Sequence, residues 1–266
     1  MANFDLNNFV IDRIVRGVAL SQKDDSVLFS INQIQNASLN CASESTDAVD
    51  ALGTPIATFY RAKSAEFSAE NALFDMQLMA TQLGTKKKVA NADAKITVPA
   101  METFTVVEGG KYELKHLPKV APTEIYALNG DSTFGVKYVM ATDAAGKPSA
   151  EPTAETFAIS GRDVKLPTGI VAGTEMFVMY EYETENAVEV VNSATEFPVG
   201  CKFIMEVLGC DVCDQTNLIY AYVIFNNFKL SPDFDWSIAT DGSHPFSGRA
   251  QQDYCDKEKR LELLVA

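Results

Sequence analysis

Short runs of β-branched and alternating apolar residues, each soon cut by a turn signal, fill most of this chain and constrain its fold more than any other feature. Between residues 94 and 190 the runs fall at Ile96–Pro99, Glu102–Val107, Lys111–His116, Glu124–Leu128, Phe134–Met140, Phe157–Ser160, Val164–Leu166, Glu175–Glu183 and Val188–Val191. Gly109-Gly110, Leu117-Pro118, Asn129-Gly130, Ala145-Gly146-Lys147-Pro148 and Gly161 separate them. Strands this short and closely spaced read as a sandwich or barrel. In Glu175–Glu183, Phe177 and Met179 alternate with Val178, Tyr180 and Tyr182. Both faces are partly apolar, so that run is expected at the centre of a sheet.

The flanking segments carry longer runs. Phe9–Val18 predicts a strand or an extended arm, and Ser26–Ile31 and Asn36–Cys41 predict strands. Pro55–Arg61 and Lys63–Ala69 predict two more. The polar stretch Ala42–Gly53 (ASESTDAVDALG) reads as a long loop. Lys202–Leu208 alternates through Phe203, Met205 and Val207, whereas Leu218–Phe225 is almost continuously apolar and is expected to be buried on both faces. Pro232 should end pairing, and Asp233–Ala239 predicts a strand with Phe234, Trp236 and Ile238 on one side. Phe246–Gln252 and Leu261–Val265 complete the set. A single segment has helical spacing, with Leu73, Phe74, Leu78 and Leu83 recurring over 70–83. Ser68 is the expected N-cap, Glu70 suits the first turn, and Gly84 suits the position just past the end. Residues 94–190 thus read as an inserted β-sandwich domain, and 1–93 with 191–266 as one discontinuous domain.

The charge excludes a class of functions. Lys and Arg number 22 against 36 Asp and Glu, a net charge of -14, and all three segments are acidic. A basic groove that grips nucleic acid is therefore not expected. No stretch approaches the ~18 apolar residues of a membrane span, and MANFDLNNFV lacks the charged-then-apolar pattern of a secretory leader. Five cysteines, an odd number, then predict reduced thiols in a chain made in a cytosol.

The motifs that could carry chemistry are few. Cys210-Asp211-Val212-Cys213 would need a second ligand pair to hold zinc, and neither another CxxC nor a CxxH is present. As a thioredoxin-like site it would need a helix start, and here it lies between two strands; loop thiols are the expectation. Asp241-Gly242-Ser243-His244-Pro245 contains the letters of a triad, but a triad converges from separate elements. It reads as a turn, and His116 reads as a surface residue at a strand end. Lys86-Lys87-Lys88 suits the negative end of the helix. Glu181, Glu183, Glu185 and Glu189 read as a solvated strand face, and Phe234 and Trp236 as core packing. No catalytic set, metal site or cofactor site emerges, and a non-enzymatic role is expected.

The most informative text lies near the ends. Thr54-Pro55-Ile56-Ala57-Thr58-Phe59-Tyr60-Arg61-Ala62-Lys63-Ser64-Ala65-Glu66-Phe67-Ser68 leads toward the helix, and Phe228–Asp233 with Gly248–Cys255 closes the chain. Together these resemble the major tail (tail tube) proteins of tailed bacteriophages, over about 1–93 and 191–266. Residues 94–190 resemble the Ig-like insertions that some tail proteins carry. The resemblance implies a mainly β fold: a tail-tube-like β-sandwich or barrel with one flanking α-helix, plus an inserted all-β domain. It further implies an N-terminal arm at 1–16 and a loop at 42–54 that order on stacking. The subunit-contact candidates are Phe4, Phe9, Val10 and Ile11 on the first, and Asp47, Val49 and Leu52 on the second. The implied function is that of a virion protein of the tail, assembled in the host bacterial cytoplasm into stacked, hexameric rings around a channel for genome ejection. Its implied partners are other copies of itself, the tape-measure, tail-terminator and baseplate or tail-tip proteins, and genomic DNA that slides past without specific binding. A domain the size of the insert is expected to project outward, since it would block a channel that passes DNA. Another phage structural subunit (capsid, decoration or baseplate) and a host- or carbohydrate-binding β module stay open as alternatives.

Overall fold

In the computed structural model, which describes residues 8–143, 147–252 and 260–265, the chain forms two units. One is Met1–Lys87 with Val190–Ala266, and the other is Lys88–Glu189. The first unit opens with β1 (Phe9–Ser21), β2 (Val27–Ile31), β3 (Ile34–Val49), β4 (Pro55–Asn71) and α1 (Met76–Gln82). The second holds β5 (Lys88–Val89), β6 (Ile96–Thr105), β7 (Lys111–Glu113), β8 (Pro118–Val120) and β9 (Glu124–Leu128). It continues with β10 (Phe134–Met140), β11 (Thr156–Ser160), β12 (Asp163–Lys165), β13 (Glu175–Thr184) and β14 (Val188–Glu189). The chain returns to the first unit with β15 (Gly200–Asp211), β16 (Asp214–Leu230), β17 (His244–Ala250) and β18 (Glu262–Val265). The fold is mainly β, with one short helix among the described residues.

In the first unit the strand order is β2-β1-β15-β16-β17-β4-β3, antiparallel throughout, with β18 added along β16. β2 and β3 are the two ends of that order, yet only Asn32 and Gln33 link them. Three residue steps span at most ~11 Å, so the sheet must curl until its ends approach. Gly17 marks the place: a Cβ there would lie 2.8 Å from Ile34 of β3 and 3.0 Å from Phe203. Alternation fills the inside. Phe67 meets Phe203, Phe225, Phe228 and Phe246 at centroid separations of 5.7–6.3 Å, with Ala19, Phe29 and Leu230 buried around them.

Several expectations need correction here. Residues 42–49 are strand rather than loop, because β3 runs to Val49 and pairs with β4; of the expected loop only the turn at 50–54 remains. Ser, Thr and Asp tolerate a strand whose both faces are wet, and hydropathy alone cannot tell such a strand from a loop. Phe9–Arg16 is not a free arm but the first part of β1, paired with β15. Pro55–Arg61 and Lys63–Ala69 are one strand interrupted by a bulge at Ala62, whose φ is 43°. The helix starts at Met76, not near Ser68. Ala65–Asn71 pairs with β17, and that ladder overrides helical propensity. Asp75 is the N-cap, its carboxylate accepting from the Gln77 and Leu78 N–H groups at 2.8 and 2.7 Å. Gly84 does lie past the end with φ +72°, where a Cβ would fall 2.3 Å from the Phe197 backbone. Leu218–Phe225 is buried on one face only, and Asp233–Ala239 is irregular rather than a strand. Trp236 instead stacks on Phe74 at 4.1 Å.

The second unit orders its strands β6-β13-β9-β10-β11-β12-β7, with β8 on β13. β13 is central as expected, and β10–β11 is a parallel pair. This sheet also curls. β6 and β7 end the order, but Phe104 of one stacks on Tyr112 of the other at 3.6 Å. Leu114, Ile125, Phe157, Met176 and Val178 fill the interior. β5 and β14 pair where the chain enters and leaves the unit, through Val89↔Val188 and Lys88↔Glu189.

Candidate assembly surfaces

The β3–β4 hairpin is unlike the rest of the first unit. β17 pairs with β4 only as far as Ala65; beyond it, toward the tip, β3 and β4 pair only with each other among the described residues. Ser45↔Tyr60, Thr46↔Phe59, Asp47↔Thr58 and Ala48↔Ala57 face across the ribbon. The tip is built by Asp50, whose carboxylate accepts from the Leu52 and Thr54 N–H groups at 2.8 Å each. Those backbone hydrogen bonds, Thr54's foremost, hold its pKa below the ordinary carboxylate value. Every residue from Gln35 to Ser64 is exposed. Among them are Leu52 at 91%, Tyr60 at 74%, Ile56 at 70% and Phe59 at 55%. A two-stranded ribbon on its own is marginal in water. This one also has apolar side chains on both faces: Ile56 and Tyr60 on one, Phe59 on the other.

Open strand edges are the second feature. β2 covers β1 only from Gly17 to Leu20, so the outer edge of Phe9–Arg16 faces no other strand among the described residues. Residues 214–220 of β16 pair with β15 alone. Unpaired edges template further pairing with another chain. Of the seven contact candidates, Asp47, Val49 and Leu52 come together on the hairpin, and Phe9, Val10 and Ile11 lie on the open part of β1. Phe9 turns partly inward against the core, while Val10 and Ile11 are exposed. Phe4 is outside the described residues. The sequence reading missed Ile56, Phe59 and Tyr60. The available signal was a strand apolar on both faces opposite a polar partner, a combination that no interior accepts.

The groups with chemical potential are occupied by the fold. His244, read from sequence as part of a turn, is fully buried at the start of β17. Its Nδ1 accepts from the Asp75 N–H at 3.3 Å, so its Nε2–H donates to Gln82 Oε1 at 2.8 Å. Burial lowers its pKa and outweighs the nearby Asp75 charge, leaving a neutral imidazole that ties β17 to the helix. Phe74 lies between its ring and Trp236, 4.9 and 4.1 Å away. Glu102 of β6 is buried in the second unit and accepts from the hydroxyls of Tyr112 and Tyr180 and the Lys115 N–H. Burial pushes its carboxyl upward, but those hydrogen bonds reverse the effect and its pKa falls below the ordinary value. The cluster joins β6, β7 and β13 across the seam of the curled sheet. Cys210 is buried near the end of β15, and Cys213 is exposed in the β15–β16 turn. Burial raises the Cys201 thiol to about 12, so it is inert. No cluster of metal-ligating side chains occurs among the described residues, and no helix is long and apolar enough to cross a membrane. His116 is exposed against Tyr182 at 3.9 Å, and Glu183, Glu185 and Glu189 form surface ion pairs with Lys119, Lys95 and Lys88.

Curled antiparallel sheet, an exposed two-stranded ribbon and open strand edges define a β-rich unit that leaves several large apolar side chains outside its core. The model of the YomU/Tube protein family matches residues 9–259, and the chain belongs to that family: it is a phage tube-like structural protein. No curated protein matches the chain.

Proposed function

We propose that this chain is the subunit of a phage tail tube. Copies close into rings, six to a ring, and the rings stack into a hollow tube that conducts the genome. The observation that carries this reading is the hairpin from Ala42 to Ser64, whose apolar side chains find no interior in their own unit. Docked on a neighbouring copy, the ribbon would bury Ile56, Phe59 and Tyr60 and gain the third layer that an isolated ribbon lacks. The open edges of β1 and β16 suit lateral joining of sheets, which would also protect those edges from uncontrolled pairing. A net charge of -14 suits a conduit that DNA passes without being held. The second unit is read as an Ig-like accessory module carried by the first. The tape-measure, terminator and baseplate or tail-tip proteins are the partners such a tube requires at its core and ends, in the virion tail.

The test is to purify the full chain, concentrate it, and image it by negative-stain electron microscopy. Hollow rods with a regular axial repeat, or closed rings, are the expected outcome. Closed shells would move the assignment to a capsid-type subunit. A chain that stays monomeric even when seeded with sheared rods or purified tails would overturn it.

A further inference from the structure

The outward face of the second unit's sheet carries a cluster of apolar side chains. In β13, Met176, Val178 and Tyr180 point inward, so Phe177, Met179 and Glu181 point out. Met179 stands opposite Met101 of β6, and Phe177 opposite Tyr126 of β9. Phe134 of β10 completes the group, its ring 5.1 Å from those of both Tyr126 and Phe177. Met101, Phe134 and Met179 are 65%, 60% and 50% exposed. Large apolar side chains gathered on one face, rather than scattered, mark an interaction surface.

Charge and size indicate what fits there. Glu175 and Glu181 lie on the same face, in register with the apolar group. Glu124 and Glu183 rim it and are paired with Lys137 and Lys119 at 3.0 and 2.9 Å. Four carboxylates thus meet two ammonium groups, and the face has a negative excess. A second copy would bring the same excess of acids to this face, which disfavours self-association through it. Four strands about 4.8 Å apart, with two or three outward positions each, cover on the order of 300 Å². A stable protein–protein interface uses about 800 Å² a side, so the patch matches a short segment rather than a whole domain. Methionine adapts its shape to different apolar partners, and a peptide surface benefits from that more than a rigid sugar ring does. We propose that this face docks a short, basic and apolar segment of another protein.

The probe is a dye-labelled ten-residue peptide of alternating leucine and lysine, titrated with the full chain and followed by fluorescence anisotropy. Its leucine–glutamate counterpart is the control. Saturable binding of the first and none of the second is expected, with affinity lowered about tenfold or more in Met101→Ser/Met179→Ser, as for loss of a central apolar anchor. Both methionines are exposed, so the variant should keep its circular dichroism spectrum. Unchanged affinity in that variant, or no saturation with the native chain, would overturn the proposal. So would displacement of the peptide by a glucose oligosaccharide, or self-association that the two substitutions abolish. Imaging tubes of the same variant separates this inference from the tube assignment: tubes without peptide binding would sink only the docking proposal.

Discussion

At the scale of single residues, two buried groups, His244 and Glu102, contribute to how the protein answers to acid. His244 has a pKa below its ordinary 6.5 in the folded state, so between those two values the unfolded chain binds more protons than the native one. Stability should be level above pH 6.5, fall as the pH drops below it, and stop falling once the folded pKa is passed. Trp236, the chain's one tryptophan, is two rings away and reports on this region. The thermal midpoint read from its fluorescence should decline as the pH falls below 6.5, and in His244→Gln that decline should vanish while overall stability drops by about 1–3 kcal/mol. Glu102 behaves oppositely in origin. Its folded pKa lies below the ordinary 4.5, so its contribution is present above that value and is lost as the pH falls through the folded one. Glu102→Gln keeps an acceptor but puts an amide donor against two hydroxyls and an N–H. Its urea midpoint, followed by tyrosine fluorescence at neutral pH, should fall by the equivalent of about 1–3 kcal/mol.

At the scale of elements, the β3–β4 hairpin separates folding from assembly. Phe59 and Tyr60 contact no interior, so Phe59→Ser/Tyr60→Ser should leave the thermal midpoint within about 2 °C of the parent, as surface substitutions do. The same variant should form no rods under conditions where the parent does. Rods of normal length from the double variant would remove the hairpin from the interface. The bulge at Ala62 divides this element: Ala65, Phe67 and Ala69 on one side of it are buried, and Ile56 to Arg61 on the other are exposed. Arg260 donates to the Lys63 carbonyl beside that bulge, so the C-terminal segment is tied to the base of the ribbon.

At the scale of the whole molecule, the second unit is spliced in at one place. β5 and β14 pair at its entry and exit, and antiparallel partners have Cα atoms ~5 Å apart. Replacing 88–189 by a short Gly-Ser linker should therefore close the first unit with little strain. The expected product is a soluble chain with unchanged Trp236 emission and a cooperative thermal transition. A chain recovered only as aggregate would show that the first unit needs the second in order to fold.

Much of this was legible in the sequence because it depends on local pattern. Period-two alternation located β13 and β15, and turn signals located most of the short strands of the second unit. Gly84 was legible because a residue past a helix end needs a positive φ. Pairing partners were not legible, since they depend on contacts distant along the chain. The ladder with β17 turned Ser68 and Glu70 from a helix start into strand, and pairing with β4 turned the polar 42–49 run from loop into strand. His244 shares its parity with Phe246, Gly248 and Ala250, and Glu102 with Ala100 and Phe104. Alternation alone does not say which parity faces inward, or that Asp75, Gln82, Tyr112 and Tyr180 will be there to meet them. Sequence by itself determined that the chain is β-rich, acidic and without a recognisable catalytic motif, because composition and short-range period carry that information. Only the tertiary structure decided which apolar residues stay outside, because burial depends on whether a curled sheet closes over a side chain or leaves it to another molecule.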